Sequence, residues 1–234
     1  AHSRGADRAP GVQAMNAVLI MADQLSACWL EGEARAACPT PNLDRLAERG
    51  VRFTRHIVHN PVCMPSRASL LTGRSSRVHG VIANGYELEH DCATFPRLLQ
   101  RAGVRTAGFG KCHLQCHNRS AHNDVRPYGF DEAAATEDIR AGDWLDWVAR
   151  EHPEHYERAL ATCWPVPCTS EYGPDRVDLR RQILAARERH RPEPVAPLTY
   201  ASLVPEECCQ TRWVGDRACE YLAGAREPFF LYAS

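Results

Sequence analysis

The stretch PVCMPSRASLLTGR, residues 61–74, decides how the rest of the chain is read. It sets Cys63 two residues before Pro65, then Ser66 and Arg67, then an apolar run closed by Thr72 and Gly73. Proline is tolerated in a helix's first turn and glycine favours its end, so a helix is predicted from Pro65 to Leu71. A cysteine kept only for packing needs none of these neighbours. The expectation is that Cys63 does not remain a cysteine, and that the helix start beside it lends partial positive charge.

Working outward, AVLIMA (17–22) is a short apolar run ending in Asp23-Gln24, which predicts a strand buried on both faces. PTPNLDRLAERG (39–50) predicts a helix and VRFTRHIV (51–58), alternating and β-branched, a strand. TFPRLLQRAG (94–103) reads as a helix and RTAGFGK (105–111) as a strand. Residues 114–205 are less regular, with helices predicted at 144–152 and 178–190 and a Pro-rich loop at 191–197. A helix at 210–225 and a strand at 228–234 follow. Strands alternating with helices predict an α/β fold: a mainly parallel sheet with helices on both faces. Ligands in such sheets bind beyond the strands' carboxyl ends, where Asp23 and Lys111 fall.

The 234 residues are 44% apolar and 24% charged, with a formal net charge of −1. That composition suits a folded globular protein and gives no basic field for nucleic acid or a membrane surface. The longest apolar run, Ala17–Ala22, is far too short to span a bilayer. Residues 1–14 lack an apolar signal region and are set aside as a non-native or disordered leader, with Met15 as the natural start. The eleven cysteines are therefore expected to be reduced thiols in a cytoplasmic protein. The apolar strand at the chain's end predicts that 15–234 is the N-terminal portion of a larger domain.

Asp23 and Gln24 offer hard oxygen ligands suited to Ca²⁺ or Mg²⁺, although a polar strand end is the plainer reading of the pair alone. KCHLQCHNRSAH (111–122) is a rival constellation. Its two cysteines and three histidines could take zinc, with His113 and His117 spaced for one helix face, or form a polar loop. His56, His59 and His79 read as hydrogen-bonded structural groups, and Trp144, Trp147 and Trp213 as packing residues.

Taken whole, the Cys63 segment resembles the signature of the sulfatase family, within the alkaline-phosphatase-like superfamily. NAVLIMADQL, PTPNLDRLAERGVRFTRHIVHNPVC, VHGVIANG and GFGKCH follow in that family's order, and TRWVGDRACEYL and PFFLYAS are similar to a later helix and strand. Residues 114–205 stand as a variable insertion. The resemblance implies oxidation of Cys63 to Cα-formylglycine (3-oxoalanine) by a formylglycine-generating enzyme. The hydrated aldehyde gives two hydroxyls on one carbon, one to attack and one to expel the product. It implies Asp23, Gln24 and the modified Cys63 as ligands of Ca²⁺, Mg²⁺ or Mn²⁺. Arg67 would hold the hydrated aldehyde, Lys111 a sulfate oxygen, His113 the nucleophile or a sulfate oxygen, and Asn84 the substrate. The implied activity is sulfuric ester hydrolysis on a small anionic ester. The Asp-Gln pair is similar to the branch that includes phosphonate monoester hydrolases, so phosphonate or phosphate esters are the alternative. Cys112 stands where an aromatic is usual, and Cys208-Cys209 where a histidine-containing stretch is usual. The family's Pro-His-x-Pro histidine, second metal pair and later lysine find no match in 1–234. The piece alone is expected to bind metal weakly and turn over little, and an inactive fragment is the third reading.

Overall fold

The structure is a computed structural model that describes residues 15–196, 199–225 and 228–234. In chain order its strands and helices are β1 (Ala17–Ile20), α1 (Cys28–Glu31), α2 (Pro41–Arg49), α3 (Cys63–Thr72), α4 (Ser76–His79) and α5 (Phe95–Arg101). Then come β2 (Arg105–Gly110), β3 (Glu132–Ala135), α6 (Asp143–Glu151), α7 (Tyr156–Thr162), α8 (Leu179–Arg189), β4 (Pro194–Ala196), β5 (Thr199–Tyr200), α9 (Gln210–Gly224) and β6 (Phe229–Ala233). The main sheet runs β1-β6-β2-β3 with every pair parallel. The parallel α/β reading therefore holds, and the strand nearest the end of the sequence lies inside the sheet.

All five residues of β6 are buried. Their alternation feeds two cores, as a parallel strand covered on both faces must. Phe230 and Tyr232 join Met64, Ala68 and Leu71 of α3 on one face, while Phe229 and Leu231 join Ala107, Phe109 and Tyr221 of α9 on the other. Helices thus cover both faces around β6. A third core gathers Trp144, Leu145, Val148, Leu160, Leu179 and Ile183 from α6, α7 and α8 with Trp213 of α9. It lies largely within 114–205, so that stretch is a packed lobe as well as a connection. Trp144 and Trp213 are buried and Trp147 packs against the same core, as expected.

Three expectations need correction. Residues 51–58 form no strand. Their alternation resembles one, but no neighbouring strand among the described residues offers a ladder, and Val51, Phe53 and Ile57 are exposed. Strand β1 is not buried on both faces: among the described residues it pairs only with β6, and Ile20 is 76% exposed. The Pro-rich loop holds a short antiparallel pairing of β4 with β5. Residues 1–14, the expected leader, lie outside the described residues. Among the described residues no helix is long and apolar enough to cross a membrane, and all eleven cysteines are unpaired.

Candidate active site

Helix α3 begins at Cys63, two residues earlier than the sequence suggested, and places Pro65 in its first turn. Gly73 closes it in the left-handed conformation that glycine adopts without strain. Its N-cap, Val62, has no side-chain oxygen to offer the free N–H groups of the first turn. Asn84 supplies one from a distance, its Oδ1 accepting the Met64 N–H at 3.0 Å. Cys63, half-buried, thus sits at the positive end of a ten-residue helix.

Strand β2 delivers Lys111. Gly110 has φ +91°, and a Cβ there would lie 1.9 Å from the Ser234 carbonyl oxygen. That glycine lets β2 end tightly against β6, where the Lys111 N–H donates to the same carbonyl at 2.9 Å. The buried Lys111 ammonium reaches Asp138 Oδ1 at 2.7 Å, Asp23 Oδ2 at 2.5 Å and Cys63 Sγ at 3.7 Å. Burial opposes its charge, but the Asp138 and Asp23 carboxylates outweigh burial and raise its pKa. For Asp23, burial is likewise outweighed by Lys111 and Arg67, which hold its carboxyl below the usual range.

Arg67, one turn along α3 from Cys63 and buried, ties three strand ends together. Its guanidinium donates to Asp23 Oδ2 after β1 at 3.2 Å, to the Lys111 carbonyl after β2, and to Tyr232 Oη of β6 at 2.7 Å. Ser234 Oγ accepts a further bond at 2.9 Å. Gln24 has φ +50°, so the chain turns sharply where β1 ends; its side chain is exposed.

His113 also has a left-handed backbone, φ +45°. Glu137 Oε1 accepts the N–H groups of Cys112 at 3.2 Å and His113 at 2.8 Å, which fixes this turn. His113 is buried, and Cys63, His113 and Asp138 offer ligand atoms all within 4.8 Å of one another. Burial first, then the nearby His117 and Lys111, press its pKa down to about 3, so its imidazole is neutral. Cys112 is buried beside Met64 and Tyr232, filling its place as a small apolar side chain.

The structure therefore gathers Cys63, Arg67, Lys111, His113 and Asp23 around the carboxyl ends of β1, β6 and β2. Asn84 touches the same helix start, whereas the Gln24 side chain is exposed and makes no hydrogen bond to any of them among the described residues. Asp138 and Glu137 escaped the sequence reading. Ala107 pairs with Glu132 and Gly110 with Ala135, so the residues after β3 fall beside Lys111 and His113. The strand itself, EAAA, carries almost no β-favouring side chain, and its acidic followers had no visible strand to sit on.

The family model described as Sulfatase matches residues 15–234. The chain belongs to the sulfatase family. It is 41% identical over 130 residues to Arylsulfatase D of Homo sapiens, across 50% of this chain and 22% of that protein. It is 34% identical over 140 residues to an Ulvan-active sulfatase of Formosa agariphila, across 59% of this chain and 27% of that protein. The chain thus spans about a quarter or less of the curated relatives it matches. The solved phosphonate monoester hydrolase of Agrobacterium radiobacter superposes with a TM-score of 0.63 at 25% identity, over 94% of this chain and 40% of that one. The fold is that of the alkaline-phosphatase-like sulfatases, and the superposition runs through most of the lobe expected to be a variable insertion.

Proposed function

We propose that this chain supplies the nucleophile side of a sulfuric ester hydrolase, with Cys63 as the residue converted to formylglycine. The observation that carries the reading is Cys63 at the start of α3, with Lys111 Nζ 3.7 Å from its Sγ and His113 and Asp138 beside it. In this reading the cysteine Sγ stands in for the oxygens of the hydrated aldehyde.

Asp23 and Gln24 offer a carboxylate and an amide oxygen, donors of the right kind for a hard divalent cation such as Ca²⁺. Asp23 Oδ2 is shared by Lys111 and Arg67, which leaves Oδ1 for a metal. With the modified Cys63 they make at most three ligands, against about 6–8 oxygens for bound Ca²⁺, so further ligands must come from outside this set. When bound, the metal and the aldehyde together would supply an acidified hydroxyl nucleophile. Lys111 and the start of α3 attract the anionic ester oxygens, and buried donors of this kind stabilise charge far better than water does. Asp138 and Asp23 keep Lys111 protonated and aimed. Neutral His113 holds or passes a proton at an imidazole nitrogen beside Cys63. Arg67 fixes the strand ends and hence the distance from Asp23 to Cys63.

A second reading, hydrolysis of phosphonate or phosphate esters, is supported by Gln24 after Asp23 and by the phosphonate monoester hydrolase neighbour. Coexpression with a formylglycine-generating enzyme should yield a Cys63 peptide lighter by about 18 Da, the thiol-to-aldehyde difference. The longest natural form should then hydrolyse aryl sulfates faster than aryl phosphonates and lose turnover in Cys63→Ala. Full turnover by that variant removes the reading, and a preference for phosphonates selects the second.

A further inference from the structure

The histidine-rich run 111–122 carries no site of its own. His113 and His117 are not on a helix, and their rings stack with centroids 3.8 Å apart and planes 9° from parallel, so their in-plane lone pairs cannot converge on one ion. Cys112 is buried among apolar groups, and His122 pairs with Asp146 at 2.7 Å. Unassigned chemistry lies instead on the other face of the sheet. A cavity of about 360 Å³ opens between α9 and the β2–β3 edge, large enough for a small molecule. Phe109 and Ala134 line it, part of the core that gathers on Tyr221, Phe229 and Leu231 away from α3. Exposed Arg105, the first residue of β2, also lines it, whereas Lys111 and Cys63 gather beyond that strand's other end.

Two polar atoms in this cavity are left over. Tyr221 is 8% exposed, and Arg217, one turn before it on α9, lines the same space. Tyr221 Oη and Arg217 Nε are buried, and neither has a hydrogen-bond partner among the described residues. Leaving one such donor unpaired costs about 1–3 kcal/mol, so two sharing one cavity point to an acceptor that fills it. The walls also carry negative groups. Glu220 accepts from Arg217 Nη2 at 2.8 Å, and exposed Glu132 lines the β3 side. Helix α9 ends here at Gly224, and the last carbonyls of a helix are its accepting, negative end. A simple anion would meet Glu132 and that helix end, and a simple cation would meet Arg105 and Arg217.

We propose that this cavity binds a small zwitterion of the free α-amino acid type. Its carboxylate accepts from Tyr221 Oη and Arg217 Nε, charge-assisted bonds that satisfy both buried donors. Its ammonium faces Glu132 and the last carbonyls of α9, and a short apolar side chain lies against Phe109 and Ala134. The site shares no residue with the one described above and does not rest on the function proposed for it.

The test titrates the full chain calorimetrically with L-leucine, with 4-methylpentanoate (leucine without its ammonium) and with 3-methylbutylamine (leucine without its carboxylate). The expected result is one site with a submillimolar Kd for leucine and binding at least about tenfold weaker for each analogue. Tyr221→Phe deletes only the hydroxyl and should weaken leucine about tenfold. Without leucine the same variant should unfold at the same urea concentration or a higher one, because the hydroxyl it removes has no partner to lose. No binding of leucine at millimolar concentration, which leaves only water in the cavity, overturns the proposal. So does equal binding of either analogue, or an unchanged Kd in Tyr221→Phe.

Discussion

The two edges of the sheet are built to different degrees. On the β2–β3 side, Lys111 and His113 are buried, their partners Glu137 and Asp138 follow β3, and the tryptophan-rich lobe closes behind them. On the β1 side, Asp23 is 38% exposed at its side chain, Gln24 faces solvent, and Ile20 is bare. The site straddles both. In the function proposed above, its anion-binding and proton-handling groups stand on the rigid edge, and the oxygens offered to a metal on the open one. Precision in a site comes from packing behind the side chains, so the two halves should respond differently to change.

Gly110→Ala should have the largest effect. Its Cβ would meet the Ser234 carbonyl at 1.9 Å on a left-handed backbone, so β2 and β6 must part. A loss of at least about 4 kcal/mol is expected by denaturant unfolding; a loss under 1 kcal/mol would show that the rigid edge is looser than it looks. Next, Trp144→Ala empties the lobe core and strands the Cys208 carbonyl that its Nε1 donates to at 2.9 Å. That should destabilise by about 3–5 kcal/mol.

His113→Gln sharpens the comparison through pH. In the fold its pKa is lowered to about 3 from 6.5, so as pH falls from 6.5 toward 3 the unfolded chain takes a proton that the folded chain refuses. Stability contributed by the neutral imidazole is therefore present above pH 6.5 and lost below it. The variant should lose less over that window, by up to about 3 kcal/mol, in urea unfolding free energies measured from pH 7 to pH 4. Smallest of all, Ile20→Ser on the open edge should shift stability by under about 0.5 kcal/mol. A larger loss would mean that the β1 face is covered in solution.

The same contrast governs what could be read from sequence. Cys63, Arg67 and Lys111 were legible because each belongs to a short contiguous motif, and β6 because FFLYA is an unbroken apolar run. Strand β3 was not: EAAA is poor in β-favouring residues and becomes a strand only through its parallel partner β2. Asp138 and Glu137 were lost with it. Residues 51–58 erred the other way, a β-like alternation with no neighbour to pair with. The stacked His113 and His117 come together through the left-handed turn at His113 and the buried Glu137 that fixes it, not through helical spacing.

The position of β6 also sets a timetable. Ala17 pairs with Phe230 and Arg105 with Phe229, and β1 touches β2 nowhere in the sheet. Synthesis must pass residue 233 before either β1 or the near side of β2 has its neighbour, so the nascent chain carries two open ladders at once. Closing contacts so distant in sequence is slow, and unpaired ladders invite association with other chains. The Arg67 guanidinium, waiting on Tyr232 and Ser234, is among the final groups to find its place.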